Sequence, residues 1–243
     1  MQLHTIKHPF TLLLSTTLSL YSLPTHATDA QSLLQQCIPA TTPVNHQSKV
    51  EVYVNHKNAP EEVHHLTRLE DGQRLFLRPQ DHGGIGLLVE RQNQQRWLYD
   101  AERKSLLPLS AEQKYPEWLL SESLLDAKVL ATFALTISSQ SSMGGQSYYT
   151  ATAITDGNDP FPKRTLSFKI DGNQKCDLIR AAYFDASQKL RKKIYVQWQP
   201  LGDTKMLKAL HIEDVQSLEA VRYHIEDVQA VEGFGAGEFP VMP

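Results

Sequence analysis

Gly86 to Asp100 reads GLLVERQNQQRWLYD, and a chain that repeats this grammar has few folds open to it. An apolar run, Gly86-Leu87-Leu88-Val89, closes on Glu90. Arg91 to Gln95 is a polar turn. Arg96-Trp97-Leu98-Tyr99-Asp100 then alternates, with Trp97 and Tyr99 sharing one face. That alternation predicts a half-buried antiparallel strand. The chain leaves it through Arg103, Lys104 and Pro108. The same pattern recurs on both sides. Val50, Val52 and Val54 alternate with Glu51 and Tyr53, and Asp71-Gly72 is a hairpin turn before Leu75 and Leu77. Phe133, Leu135 and Ile137 alternate, and Tyr148 to Thr155 is rich in strand-forming Tyr and Thr. Leu166–Ile170 and Cys176–Phe184 flank the turn Asp171-Gly172-Asn173. Ile194, Val196 and Trp198 form another strand, and Lys205–Asp214 and Arg222–Val228 two more, with the hexapeptide HIEDVQ starting at His211 and again at His224. The expectation is a mainly β chain of about 10 or 11 antiparallel strands with a few helices. So many strands leave edges to manage, which an unclosed, strongly curved barrel does economically.

Two stretches break the pattern. In Asp29 to Ile38, Leu33, Leu34, Cys37 and Ile38 share one side at helical spacing, and Pro39 stops the run. Ser110 and Gln113 have capping-box spacing, and Pro116 opens EWLLSESLLDAKVLATF, which lacks internal Gly or Pro. There Leu120, Leu124, Ala127 and Leu130 form one stripe opposite Glu117, Ser121, Glu122 and Lys128, predicting one amphipathic helix over 117–132. It is either a packing helix closing one end of a sheet or a lid over a cavity. The tail, with Gly233, Gly235, Gly237, Pro240 and Pro243, reads as loose.

Residues 1–27 read as an export leader. Lys7 precedes a mostly apolar run from Phe10 to Leu23, and Thr25-His26-Ala27 offers a small residue for cleavage near Ala27. The apolar run is shorter than the ~20 residues a spanning helix needs. Residues 28–243 are then one exported domain of about 216 residues, enough for a single core. The formal charge of -3 becomes -4 when Lys7 leaves, so no basic excess points to nucleic acid. An exported monomer is the expectation. The two cysteines, Cys37 and Cys176, meet an oxidising compartment there. They form either a disulfide or two buried thiols.

The chain has no G-x-S-x-G, H-E-x-x-H, C-x-x-C or P-loop, so nothing in it predicts an enzyme or a cofactor. His64-His65 cannot easily share an ion, because neighbours on a strand face opposite ways. Glu61-Glu62 read as solvated turn carboxylates. What remains is apolar strand surface plus a helix able to cover it. Such a hollow needs no catalytic group to carry lipid through water. Each acyl CH₂ removed from water contributes ~0.8 kcal/mol, so a 16-carbon chain represents roughly 12 kcal/mol gross.

Several of these segments together resemble the LolA-like outer-membrane lipoprotein-sorting family, from about Asp71 to Phe239. They are Leu87-Leu88, Trp97-Leu98-Tyr99, the exit Arg103-Lys104, Leu119 to Leu130, the hairpin Tyr183-Phe184-Asp185 to Leu190–Lys192, and Asp227-Val228. Residues before 60 match poorly, and Ser121-Glu122-Ser123 stands where the family often has G-S-D. The resemblance implies an unclosed antiparallel barrel with a helical lid, carrying acyl chains of lipids or lipoproteins. It also implies partners: an inner-membrane RND-type exporter and an outer-membrane acceptor. The alternative is a periplasmic sensor or accessory protein that contacts an exporter and transfers no cargo. The pocket is expected to comprise Val52, Leu75, Leu77, Leu88, Trp97, Tyr99, Leu135, Ile137 and Tyr183, with Leu120, Leu124 and Leu130 from the lid. Alternation alone does not say which face of a strand points inward, since a one-residue slip exchanges the faces.

Overall fold

The computed structural model describes residues 29–38, 44–93, 95–109, 116–156 and 159–242, and leaves the side chains of residues 120, 122 and 123 undescribed. The expected leader over 1–27, Pro39, the Ser110–Gln113 capping box, the last residue of the tail and the side chain of Leu120 lie outside it.

The chain opens on helix α1 (Ala30–Cys37). The Asp29 carboxylate caps it by accepting the Gln31 N–H at 3.3 Å. Six strands follow: β1 (His46–Asn55), β2 (Glu62–Glu70), β3 (Arg74–Pro79), β4 (Ile85–Glu90), β5 (Gln95–Asp100) and β6 (Ser105–Pro108). Seven more come after residue 133: β7 (Ala134–Met143), β8 (Gln146–Ile154), β9 (Lys163–Ile170), β10 (Cys176–Phe184), β11 (Leu190–Leu201), β12 (Thr204–Asp214) and β13 (Ala220–Ala230). All thirteen join one sheet in the order β6-β5-β4-β3-β2-β1-β13-β12-β11-β10-β9-β8-β7. Two meanders thus meet where β1 pairs with β13, and β6 and β7 remain as edges of an unclosed barrel. The turn signals sit where they were read. Asp71 accepts the backbone N–H groups of Gln73 and Arg74, and Asp171 does the same for Asn173 and Lys175. Gly86 is demanded by close strand approach, because a Cβ there would meet the Leu77 carbonyl oxygen at 2.3 Å.

The sheet wraps around one core. Val50, Val52 and Val54 on β1 bury with Leu66, Leu75, Leu77 and Leu87 from the first meander. They meet Leu166, Phe168, Leu178, Tyr183, Ile194, Leu210 and Tyr223 from the second. Helix α1 plugs this concavity with Leu33, Leu34 and Cys37, and Cys37 bonds Cys176 across a sequence separation of 139. The disulfide reading is the one the structure carries.

Residues 117–132 differ from the single helix expected. They form a 3-10 helix, Glu117–Leu125, and then a short helix α2, Ala127–Leu130. The break has a local cause. Asp126 adopts an extended conformation and its carboxylate accepts the Lys128 N–H at 2.8 Å, so it starts a second helix instead of continuing the first. The tail also differs from expectation. Phe234 and Phe239 pack on the outer face of β3 to β5, against a second cluster of Leu69, Phe76, Leu88 and Trp97. Arg74 lies 4.0 Å over the Phe239 ring.

Candidate functional site

The concave face is the place where this architecture gathers apolar surface, and the 116–133 segment covers it. Trp118, Leu119, Leu125 and Leu130 are buried there against the barrel core. Two phenols on the barrel wall hold the cover by its backbone. The Tyr183 hydroxyl donates to the Leu124 carbonyl, and the Tyr223 hydroxyl donates to the Trp118 carbonyl. Burial pushes the Tyr183 phenol up to about 12, against the opposing pull of Arg164, so it remains a neutral donor. Arg164 itself is buried between aromatic faces, 4.3 Å over Phe133 and 4.5 Å over Tyr183, and pairs with Asp159 at 2.7 Å. It pins the point where the cover returns to the sheet.

Of the residues expected to form the pocket, Val52, Leu75, Leu77, Leu130 and Tyr183 belong to the concave core. Leu124, Leu135 and Ile137 pack against it while partly exposed. Leu88, Trp97 and Tyr99 do not face the hollow. The register pairs Leu87 with Leu98 and Leu88 with Trp97, and the Leu87–Leu98 set points inward. Trp97 and Tyr99 therefore join Leu88 and Phe76 on the outer face, beneath the tail. The physical reason is that β3 and β4 are apolar on both faces, so either could have been the inner one.

A cavity of about 550 Å³ remains at the end of the barrel where the cover begins. Its apolar lining is Val54, Ile85, Pro116, Trp118, Ile212 and Val221. None of the expected pocket residues whose side chains are described lines it. The Trp118 indole stacks on the His64 ring at 4.2 Å between centroids, and this pair forms one wall. The rim is polar. Lys192 sits between Glu117 at 2.9 Å and Asp214 at 3.4 Å. His56 sits between Glu219 at 3.0 Å and Glu62 at 3.4 Å. Burial pushes the Asp214 carboxyl up, but the backbone N–H groups of Ser217 and Gln216, with Lys192, outweigh it and hold the group below its ordinary value. The hydrogen bond that His56 donates to Glu219 raises the His56 pKa.

Sequence alone makes Glu62 a solvated turn carboxylate and Glu117 part of a helix's polar side, and points to no rim. The signal that could have found it is parity. Glu62 and His64 fall on the same face of β2 as buried Leu66, so they extend the inward column to the barrel mouth. His64 and His65 do part as strand geometry requires: His64 meets Trp118, and His65 faces Glu51 at 3.6 Å.

No protein-family model matches the chain, and no curated protein matches it. Solved structures do. A LolA superfamily protein from Nitrosomonas europaea superposes with a TM-score of 0.61 at 14% identity, covering 84% of this chain and 94% of that one. A DUF1329 family protein from Desulfovibrio piger gives 0.65 at 13% identity, covering 85% and 93%. A domain named as an outer membrane lipoprotein-sorting protein from Vibrio parahaemolyticus gives 0.62 at 16% identity, covering 86% and 93%. The chain thus has the LolA-like fold, an unclosed antiparallel barrel whose hollow is covered by an internal segment. Among the described residues no helix is long and apolar enough to cross a membrane.

Proposed function

We propose that residues 28–243 form a single periplasmic carrier domain that holds the acyl chains of lipids or lipoproteins inside the barrel, after export directed by residues 1–27. The observation that carries this reading is how the hollow is covered. Its apolar wall is continuous from β1 through β13 to β8, yet the segment over it is two short helices and not one regular element. Lifting that segment would free apolar surface that hydrocarbon can replace at ~25 cal/mol per Å². A carrier works by binding, so no catalytic group is assigned. The naming of one structural relative for lipoprotein sorting supports the same reading. An inner-membrane exporter of RND type would load such a carrier, and an outer-membrane acceptor would empty it. The test is lipid extraction and native mass spectrometry of protein purified from a periplasm, with displacement of a fluorescent fatty acid. Bound acyl lipid at one equivalent is expected. A protein that repeatedly yields no lipid and displaces no probe is not a carrier.

One observation favours the accessory or sensor reading. Leu33, Leu34 and Cys37 of helix α1 and Trp118, Leu119, Leu125 and Leu130 of the cover occupy the concave core with the chain's own side chains. If that filling is permanent, affinity chromatography will recover a membrane-protein partner while no lipid is ever found.

A further inference from the structure

The 550 Å³ cavity differs from the barrel core in its charge. Six apolar side chains make its body, while Glu62, Glu117, Asp214 and Glu219 crowd its rim, and the matching cations are Lys192 and His56. Each cation is shared by two carboxylates. With His64 neutral, the four carboxylates outnumber Lys192 and a protonated His56 by two negative charges. The second imidazole of the lining, His64, is 3.6 Å from Glu62 and is stacked on Trp118. The site is also open enough to admit a guest: Glu117 is 82% exposed and Ile85 is 43% exposed at the mouth. A cavity of this size lies within the range of small-molecule sites, about 300–1,000 Å³. Low-dielectric walls beneath a rim of one sign focus its field into the opening.

We propose that this cavity is a separate binding site for a cationic amphiphile, taking an apolar tail against Val54, Ile212, Val221 and Trp118 and an ammonium head between the Glu62–Glu219 and Glu117–Asp214 carboxylate pairs. It rests on the carrier reading only for the source of the ligand. The cavity adjoins the core that acyl cargo would occupy, sharing Val54, Trp118 and Ile212 with it, and it exists with the cover closed. An ammonium head can come from an aminophospholipid or from a free alkylamine. A carboxylate or phosphate head of the same tail length meets the rim charge with the wrong sign. Lys192 alone cannot reverse that, being held by two acids.

The test uses three probes with the same twelve-carbon tail: dodecylammonium, lauroyl lysophosphatidylethanolamine and laurate. Each is titrated into the purified protein below its critical micelle concentration, with Trp118 fluorescence as readout and Trp118→Phe to assign the signal. Dodecylammonium should bind about tenfold tighter than laurate at low salt, and the gap should narrow as salt rises. Tighter binding of the lysophospholipid than of dodecylammonium identifies a lipid as the source. The reverse order identifies a free amine. Glu62→Gln with Glu219→Gln should cut the preference for dodecylammonium to less than about threefold, and Ile85→Lys, at an exposed position, should do the same by placing a cation in the mouth. Equal or tighter binding of laurate overturns the proposal, as does a preference untouched by these variants. If extracted acyl lipid is present while the charge preference is absent, the carrier reading stands and this one falls.

Discussion

The two ends of the barrel handle charge in opposite ways. At the end where β1 begins, a set of polar groups is sealed inside. His46 and Glu70 are 0% exposed and Arg68 3%. Arg68 donates to His46 Nε2 at 2.5 Å and pairs with Glu70 at 2.6 Å, while Arg91 reaches the other Glu70 oxygen at 2.6 Å. A guanidinium only donates, so His46 must accept through Nε2 and give its Nδ1 proton to the Val44 carbonyl, 3.0 Å away. At the other end, where β1 finishes, the charges stand around a cavity and are half exposed. The sealed set holds structure together at the cost of desolvating its ions, while the open set leaves its field available to a guest. Proximity of charges alone does not separate the two. What separates them is exposure: the Glu70 carboxylate is sealed at 0% between two guanidinium groups, whereas the side chains of Glu62, Glu219 and Glu117 are 57%, 48% and 82% exposed.

Removing one member should show the contrast at full size. Glu70→Gln leaves Arg68 and Arg91 facing an amide, and is expected to cost about 3–5 kcal/mol in urea unfolding. Glu62→Gln at the open end, whose side chain is 57% exposed, should change stability by less than about 1 kcal/mol. Equal costs would erase the distinction. The disulfide comes next. It ties α1 to the start of β10, and replacing both Cys37 and Cys176 by Ser should cost about 2–5 kcal/mol, because the loop it closes in the unfolded chain is long. The same change should leave affinities at the open end unaltered.

The sequence made the strands and the turns legible, because each depends on local chemistry, while the bond between Cys37 and Cys176, 139 residues apart, stayed one of two alternatives until the fold brought them together. Alternation found β1, and Asp71-Gly72 found the β2–β3 turn. The face assignment of β3 to β5 was another matter. Leu75-Phe76-Leu77 and Leu87-Leu88-Val89 are apolar in succession, the mark of strands buried on both sides. Trp97 and Tyr99 could only be placed once it was known that Phe234 and Phe239 return to cover them. The covering segment has the composition of one helix, but Asp126 within it is a capping residue, and a cap inside a run is a boundary. The rim acids were hidden because Glu62, Asp214 and Glu219 sit at strand ends, where carboxylates ordinarily face water.

The cover lies between the two ends and links them: its first turn roofs the cavity, and Lys128 near its last turn donates to the Arg91 carbonyl at 2.8 Å. Tyr183→Phe or Tyr223→Phe removes one hydroxyl that holds it. Each is expected to weaken closure by about 1–2 kcal/mol, with the larger value if the carbonyl left behind finds no water. Closure weakened by 1.4 kcal/mol opens the segment about tenfold more often. Amide hydrogen exchange over 116–130 and the rate of fatty-acid displacement should both rise by that factor. The sealed set would keep its protection. If exchange quickens at the sealed end as much as in the cover, the ends are not independent.

The finest distinction is the response to pH. The hydrogen bond that His56 donates to Glu219, with a smaller contribution from Glu62, raises the His56 pKa above its ordinary 6.5 in the folded protein. A raised folded value means that protonation favours the folded state. His56 therefore contributes its stability in full below the unfolded value of about 6.5, and that contribution is lost as pH rises through the folded value. The rim follows the same titration with the opposite sign for a guest, because losing the imidazolium makes the mouth more negative. Affinity for dodecylammonium should climb by about two- to threefold across that window while stability slightly declines. His56→Gln should flatten both curves together. A climb in affinity that survives His56→Gln would assign the charge change to another group, and the field at the open end would then have to be traced beyond this rim.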